Sequence, residues 1–185
     1  NSIEINTKSN SINYLSNNKE NWNIKLVETG LNSLTGTRLK KIKKYVDSDH
    51  FFLTYGDGLA NLNIPKLLKF HKEKKTLVTL TAVKPPERFG VLNINKQNKV
   101  KNFSEKPINS GNYINGGFFV LSKEIFDYLP SGNFSWEREP LNLFAKKNKL
   151  HAFKHKGFWQ CMDNIREWRY LNSLWEKSAP WKVWN

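Results

Sequence analysis

The chain of 185 residues is long enough for one domain with a substantial core, and its 38% hydrophobic and 25% charged residues are ordinary for a globular protein. No apolar run approaches bilayer length, and the single cysteine, Cys161, excludes an internal disulfide and a Cys/His metal cluster, so we expect a cytoplasmic protein. The net charge of +14, from 30 Lys+Arg against 16 Asp+Glu, favours phosphorylated ligands or nucleic acid, although drift towards lysine on solvent-exposed faces is the alternative explanation.

The first part of the chain predicts a short strand and a helix after a polar start. Residues 1–21 have no clear period and are either a flexible arm or the outer part of a larger domain. Residues 24–27 predict a short strand. The apolar positions of residues 39–46 follow helical spacing, and Thr35 or Thr37 is placed to cap that helix.

The middle of the chain changes from an alternating strand–helix pattern to a hairpin. The apolar run 51–55 stops at a glycine turn and predicts a fully buried parallel strand. Pro65 opens a predicted helix, and residues 77–83 predict a second buried strand. Residues 91–95 and 99–103 predict the two strands of a β-hairpin.

The last third of the chain returns to alternating elements. Residues 117–121 and 152–154 predict strands, and residues 123–128 and 140–147 predict short helices. A final helix is predicted over residues 164–175, where apolar side chains recur every three or four positions. Strands that alternate with helices indicate an α/β sheet, into which the hairpin inserts an antiparallel piece.

Asp57, in Gly56-Asp57-Gly58, is the first candidate for a chemical role. It follows a predicted strand, and ligands of open α/β sheets bind outside the carboxyl ends of the strands. A carboxylate in that position suits Mg²⁺ bound to a triphosphate. The alternative is a turn in which the aspartate bonds its own backbone.

Three further segments combine polar groups with restricted backbone. Glu105 and Lys106 precede a proline, and they suit sugar hydroxyls and a phosphate oxygen, although Glu-Lys-Pro is also a common exposed turn. Asn115 and Gly116 precede a strand and offer an amide and close backbone approach, or only a loop end. Asp163, before the last helix, is either its N-cap or a second metal ligand.

The order and wording of these motifs carry a family resemblance from about residue 22 to the end. The sequence resembles the sugar-1-phosphate nucleotidyltransferases, and within them the glucose-1-phosphate cytidylyltransferases. The matching segments are TGLNSLTGTRLK from Thr29, FFLTYGDG from Phe51, TAVKPPERFG from Thr81, INGGFFVLS from Ile114, WEREPL from Trp136, GFWQCMD from Gly157 and APWKVW from Ala179.

The resemblance implies a Rossmann-like three-layer nucleotidyltransferase fold with a mixed central sheet and an inserted β-hairpin, in a single domain over residues 1–185. It implies that CTP and glucose 1-phosphate are converted to CDP-glucose and pyrophosphate, in dideoxysugar or surface-polysaccharide synthesis. It also implies Mg²⁺ as cofactor and a homo-oligomer, with no membrane partner. Cys161 stands where the family is expected to have a proline, and we expect it to be a small buried filler.

The same resemblance assigns roles to individual residues. Asp57 and Asp163 would hold Mg²⁺, and Lys106 would bind the phosphate of glucose 1-phosphate. The residues implied in holding the glucose are Glu105, Asn115, Gly90, Gly116 and, as a further sugar-side residue, Glu137. Those implied in binding cytosine are Thr35, Gly36 and Arg38.

The family also has a first strand and a loop of the type Gly-Gly-x-Gly-Thr-Arg, whose backbone N–H groups bind the triphosphate. We find no such segment in this sequence and therefore expect an N-terminally truncated domain. Three alternatives stay open at this stage. They are a uridylyl- or thymidylyltransferase of the same fold, an inactive fragment, and a basic nucleic-acid-binding module, for which a steep salt dependence of binding would be the sign.

Overall fold

The computed structural model describes residues 3–14, 22–85, 91–104 and 112–184. The strands in chain order are β1 (Ile3–Asn6), β2 (Ser11–Tyr14), β3 (His50–Thr54), β4 (Gly58–Ala60), β5 (Val78–Val83), β6 (Val91–Ile94), β7 (Val100–Ser104), β8 (Ile114–Ser122), β9 (Leu150–Lys154) and β10 (Trp159–Cys161). The α-helices are α1 (Thr35–Lys41), α2 (Ile64–Lys74), α3 (Glu139–Lys146) and α4 (Ile165–Trp175), with short 3-10 helices at Lys43–Tyr45 and Lys123–Asp127.

A four-stranded mixed sheet in the order β3-β8-β5-β9 forms the centre of the structure. Strand β8 pairs antiparallel with both β3 and β5, and β5 pairs parallel with β9. The prediction of a fully buried parallel strand at residues 51–55 is wrong. Strand β3 is antiparallel to its partner, and Phe52 on it is 48% exposed.

Helices cover both faces of this sheet. Adjacent residues of β8 point to opposite faces, so Phe119 packs with Phe144 of α3 while Val120 packs with Leu67 of α2. All four side chains are almost fully buried. The predicted three-layer α/β fold with a mixed central sheet is therefore confirmed.

Asparagine caps explain where two of the helices begin. The Asn63 side chain accepts a hydrogen bond from the Lys66 backbone N–H at 2.9 Å, and Asn164 does the same for Glu167 at 3.1 Å. Both helices were predicted. The expectation that Thr35 or Thr37 caps α1 is wrong, since Leu34 occupies the N-cap position without a side-chain hydrogen bond.

Three two-stranded units lie outside the central sheet. The predicted hairpin is confirmed as β6 and β7, paired from Val91 to Ser104. Strands β1 and β2 form a second hairpin, within the segment whose composition predicted no strand. The strand predicted at residues 24–27 is wrong, because this segment has no strand pairing and Leu26 is 95% exposed. The third unit, β4 with β10, was not predicted.

No helix in the described ranges is long and apolar enough to cross a membrane.

Candidate active site

Polar residues gather where β3 ends and β8 begins. Because β3 and β8 are antiparallel, Tyr55 after β3 lies beside Gly117 in β8, and its N–H donates to the Gly117 carbonyl at 3.0 Å. Gly117 has a φ of +80°, and a Cβ on it would lie 2.9 Å from Tyr55 Cδ2. Glycine is therefore required here for both conformation and space.

Glu137 is the centre of a hydrogen-bond network at this end of the sheet. The Tyr55 hydroxyl donates to Glu137 Oε1 at 2.6 Å. Thr35 and Ser135 donate to Oε2 at 2.7 Å and 2.6 Å. The Asn115 Nδ2 group donates in turn to the Tyr55 hydroxyl at 3.3 Å. The network joins α1, β3, β8 and the segment before α3 at a single carboxylate.

The network fixes the protonation of its members. Burial acts to raise the pKa of Glu137, but hydrogen bonds from Ser135, Tyr55 and Thr35 outweigh it, and the pKa is lowered. Burial and the bond to Glu137 raise the pKa of Tyr55 well above its ordinary value of 10.0. Glu137 is thus an oriented anion at neutral pH, and Tyr55 is a permanent donor to it.

Strands β4 and β10 bring two distant aspartates to one end of a ribbon. Cys161 pairs with Gly58, and the next N–H, of Met162, donates to the Asp57 carbonyl at 2.8 Å. Asp57 and Asp163 therefore flank the same end of the ribbon, and both are exposed. Neither forms a salt bridge with another described residue.

The ribbon is anchored to the same end of the central sheet. The Trp159 indole N–H, from β10, donates to the Gly116 carbonyl of β8 at 2.8 Å. A Cβ on Gly116 would lie 2.9 Å from Val83 Cγ1 and 3.0 Å from the Thr81 carbonyl, so only glycine fits between β8 and β5. Asn115 and Gly116 thereby share one region with the ribbon that carries Asp57.

Asp163 has a carboxylate and a thiol as close neighbours. Its N–H donates to Glu167 Oε2 at 2.7 Å, and ligand atoms of Cys161, Asp163 and Glu167 lie within 4.8 Å of one another. The alternative that Asp163 caps α4 is wrong, because Asn164 is the cap. Burial, followed by a hydrogen bond with Asp163, raises the pKa of Cys161 to about 11, so its thiol stays protonated.

These neighbours fit a hard divalent cation better than a soft one. Asp57 and Asp163 supply carboxylate oxygens at exposed positions, without a salt bridge to a described residue, and carboxylate oxygens are the ligands that Mg²⁺ prefers. The protonated Cys161 is not the thiolate that zinc or copper would need. Cys161 is partly exposed, so the expectation of a buried filler is wrong.

The residues expected to bind the cytosine ring have defined partners within the chain. Arg38 donates from Nη1 to Thr29 Oγ1 at 2.6 Å and from Nη2 to the Leu31 carbonyl at 3.1 Å. A Cβ on Gly36 would meet the Phe134 ring and lie 2.9 Å from the Trp136 backbone nitrogen. Thr35 joins α1 to Glu137, as described above.

Three predicted site residues, Gly90, Glu105 and Lys106, lie outside the described residues. Their roles stay predictions.

The sequence profile of the family described as "Nucleotidyl transferase" matches residues 3–176. The chain belongs to this family.

Two curated relatives of the chain are named as glucose-1-phosphate cytidylyltransferases, one of them as probable. The chain is 50% identical over 167 residues to the "Glucose-1-phosphate cytidylyltransferase" of Salmonella typhimurium, and 42% identical over 167 residues to a "Probable glucose-1-phosphate cytidylyltransferase" of Bacillus subtilis. Each match covers 89% of this chain and 65% of the relative. The chain thus spans slightly less than two thirds of the length of the curated relatives it matches.

Two solved structures share the fold of this chain. A putative glucose-1-phosphate thymidylyltransferase from Bacillus anthracis, in complex with a sucrose, superposes with a TM-score of 0.56 at 21% identity, covering 78% of this chain and 62% of that one. The HddC protein from Yersinia pseudotuberculosis gives a TM-score of 0.53 at 24% identity, covering 74% of this chain and 60% of that one.

Sequence reasoning missed four residues of the candidate site. Tyr55, Ser135, Trp159 and Glu167 each contact a predicted site residue. Tyr55 lay within the quoted TYGDG motif, but its hydroxyl partner is distant in the chain and no local pattern reveals it. Glu167 was recoverable in principle, since a glutamate four residues after Asp163 faces back along the helix.

Proposed function

We propose that the protein transfers a cytidylyl group from CTP to α-D-glucose 1-phosphate, giving CDP-glucose and pyrophosphate. The 50% identity to the Salmonella relative supports this choice of substrates. The structural observation that carries it is the ribbon of β4 and β10, which joins Asp57 and Asp163 at one end although they are distant in sequence. We place the reaction in the cytoplasm, in the synthesis of activated sugars for surface polysaccharide.

Asp57 and Asp163 are the residues that would hold Mg²⁺. When bound, the ion supplies positive charge that offsets the charge of the nucleotide phosphates. Nucleotidyl transfer of this kind depends mainly on position and charge, and the phosphate of glucose 1-phosphate is already anionic at neutral pH. It attacks the α-phosphorus of CTP and pyrophosphate leaves, so no general base and no covalent enzyme intermediate is required.

The glucose would bind against Glu137 and Asn115. Glu137 Oε1 accepts one hydrogen bond from a described residue, so it retains acceptor capacity for a sugar hydroxyl. The Asn115 amide is oriented because its Oδ1 accepts from the Gly117 N–H at 2.9 Å while Nδ2 donates to Tyr55. Gly116 lets the sugar approach the backbone, and Gly90, Glu105 and Lys106 would complete the sugar-phosphate side.

The cytosine would lie against the first turn of α1, at Thr35, Gly36 and Arg38. Arg38 would act there by holding the segment from Thr29 to Leu31, which its guanidinium bonds at two points. A change of base specificity would then come from the position of this segment as well as from direct contacts.

Release of pyrophosphate tests the proposal. The protein is incubated with glucose 1-phosphate, Mg²⁺ and CTP, UTP, dTTP or GTP in turn, and turnover with CTP should exceed that with each other nucleotide. Asp57→Asn and Asp163→Asn should each lower turnover about a hundredfold, because a lost carboxylate removes about 2.7 kcal/mol of charge stabilisation. Asp47→Asn is the matched control, since Asp47 is exposed and away from the ribbon. A faster reaction with another nucleotide would overturn the assignment of CTP, and wild-type turnover by Asp57→Asn would overturn the assignment of the carboxylates.

We also propose that the protein self-associates through the C-terminal aromatic surface. Trp168, Trp175 and Trp184 are 48%, 58% and 58% exposed, and large exposed aromatics are typical of interfaces. Sedimentation velocity should give a mass above that of one chain, and Trp168→Glu should return it to the monomer. A monomeric wild type would exclude this assembly.

A further inference from the structure

A cavity of about 560 Å³ lies at the opposite end of the central sheet from the candidate active site. Its lining includes His50, the first residue of β3, and Ser122, the last residue of β8, which are paired. The candidate site begins four residues later, where Thr54 pairs with Phe118. At the rise of a β-strand this separation is roughly 14 Å along the sheet. The cavity is therefore separate from the region of Asp57.

A chain of polar side chains forms the floor of this cavity. His71 is 1% exposed, with Nδ1 2.9 Å from Thr79 Oγ1 and Nε2 3.0 Å from Ser122 Oγ. Ser122 donates to the Thr76 carbonyl at 3.1 Å, and the His50 ring packs edge-on against His71 at 5.2 Å. Every hydrogen-bonding group of His71 is thus satisfied internally, which holds the floor rigid.

His50 is the member of this floor that is available to a ligand. Its Nδ1 lies 3.4 Å from Ser122 Oγ, and its Nε2 makes no hydrogen bond to a described residue. It is partly exposed and lines the cavity. Because the Ser122 hydroxyl donates to Thr76, His50 Nδ1 is the donor in this contact, and Nε2 can donate to an anion when the ring carries both protons.

Three lysines, two from the end of α2 and one from the segment before β9, surround the cavity. Lys72 lies in the last turn of α2, Lys75 is its C-cap with a φ of 48°, and Lys149 precedes β9. The Thr76 hydroxyl donates to the Lys149 carbonyl at 2.7 Å, which joins the two backbones that carry them. No carboxylate within the described part of the chain lies within 4.0 Å of these three ammonium groups.

The position of a helix C-terminus explains only part of this charge. Cations are favoured at the end of α2, which accounts for Lys72 and Lys75. It does not account for Lys149 or for the cavity and its histidine. Glu124 also lines the cavity, but the three lysines outnumber this one carboxylate, so the net formal charge of the lining is positive. Unpaired like charges around a polar cavity repel one another, and a bound anion would relieve that repulsion.

We propose that this cavity binds a phosphate or diphosphate group of a small metabolite. Compact ammonium groups suit phosphate oxygens, and the volume is within the range of small-molecule sites. Tyr128 lines one side of the cavity, with its ring 5.8 Å from that of Phe144, and supplies an aromatic contact for the organic part of a phosphate ester. The proposal does not depend on the proposed transferase activity.

Histidine resonances offer a local test, because His50 and His155 lie at opposite ends of the central sheet. His50 and His71 border this cavity. His155 lies at the other end of the sheet, where its backbone N–H donates to the Ala82 carbonyl. The protein, with isotope-labelled histidine, is titrated with inorganic phosphate at constant ionic strength set by chloride. The His50 resonance should shift and saturate, whereas His155, which lines a separate cavity with Lys84 and Lys156, reports any phosphate bound at the candidate-site end. No shift of His50, or a shift of His155 alone, would overturn the proposal.

Charge-matched variants separate a site from general attraction to a basic protein. The triple variant Lys72→Gln, Lys75→Gln, Lys149→Gln should weaken phosphate binding at least about tenfold. The three lysines are exposed, so each lost hydrogen bond to the phosphate should cost a free energy at the low end of the range for charged hydrogen bonds. The control triple variant Lys66→Gln, Lys101→Gln, Lys177→Gln lowers the net charge equally at exposed positions outside the cavity and should bind as the wild type does. Equal weakening in both would overturn the proposal.

Two further arms complete the test. The single variant Lys149→Gln should still weaken binding about threefold, and it provides the answer if the triple variant does not fold. Phenyl phosphate, titrated in parallel, distinguishes the source of the group. Tighter binding than inorganic phosphate assigns the cavity to a phosphate ester packed on Tyr128, and equal or weaker binding assigns it to the free anion.

Discussion

Removing the phenolic hydroxyl of Tyr55 tests whether the Glu137 network stabilises the fold in the way its geometry indicates. Tyr55→Phe deletes the 2.6 Å bond to Glu137 Oε1 and leaves the Asn115 amide without its acceptor. A hydrogen bond to a charged group contributes about 1.5–3 kcal/mol, and Glu137 is only partly buried, so we expect a loss of about 1.5 kcal/mol at neutral pH. Urea unfolding followed by the fluorescence of the seven tryptophans measures it.

The pH dependence of this loss is a sharper test than its size. The pKa of folded Glu137 lies below its ordinary value of 4.5, so the ionised carboxylate contributes stability that is fully present above about pH 4.5. That contribution is lost as the pH falls through the folded pKa. Tyr55→Phe removes one of the bonds that lower this pKa, so the difference between wild type and variant should shrink on acidification.

Tyr170→Phe is the matched control for this experiment. Tyr170 is 47% exposed on α4, and its hydroxyl makes no hydrogen bond to a described residue. It should unfold as the wild type does at every pH. The reasoning fails if Tyr55→Phe loses no more stability than Tyr170→Phe, or if its loss is the same at about pH 3 as at pH 7.

Gly36→Ala should lose about 2 kcal/mol because the added methyl has no room, whereas Gly56→Ala, with open space around it, should stay within about 0.5 kcal/mol; equal losses in urea unfolding would contradict the packing argument. The pKa of Cys161 is raised to about 11, so its alkylation by iodoacetamide should be slow at about pH 8 and accelerate towards pH 11. Asp163→Asn should move this rate profile to lower pH, because the bond to Asp163 helps to raise the pKa of the thiol. An unmoved profile would exclude the thiol–carboxylate hydrogen bond. His71 should titrate near pH 4 by NMR, because burial lowers its pKa. The protein should gain stability as the pH rises from about 4 to 6.5, since in that range only the unfolded state binds the proton. An NMR titration midpoint near 6.5 would contradict this.

Local chemistry made parts of the fold predictable from sequence. Asn63 and Asn164 are asparagines directly before helical periodicity, and each one caps its helix. Strands β5 (VTLTAV) and β8 (INGGFFVLS) lack the polar–apolar alternation of a half-exposed strand, and burial on both faces produces that pattern. These features depend on residues adjacent in the chain.

Features that depend on distant partners were not predictable in the same way. The run 51–55 is equally compatible with a parallel and an antiparallel strand, and only the position of β8 decides between them. Strands β4 and β10 have three residues each, too few to show a period. The apolar residues 24–27 have the composition of a strand but no partner to pair with in the described structure.

The candidate site divides along the same line. Asp57, Asn115, Gly116 and Asp163 stand out because they are polar or flexible residues next to apolar segments. The hydroxyl of Tyr55 and its bond to Glu137 join segments far apart in the chain, so single-sequence reasoning had no signal for them.

The ribbon of β4 and β10 also bears on the order of folding events. Its two strands are separated by roughly one hundred residues of chain, so forming it closes a long loop, and the loss of chain entropy delays such contacts relative to local ones. The two aspartates consequently come together only when most of the domain has assembled. A divalent cation that binds both of them would stabilise the native state but not the folding transition state, so it would slow unfolding more than it speeds folding.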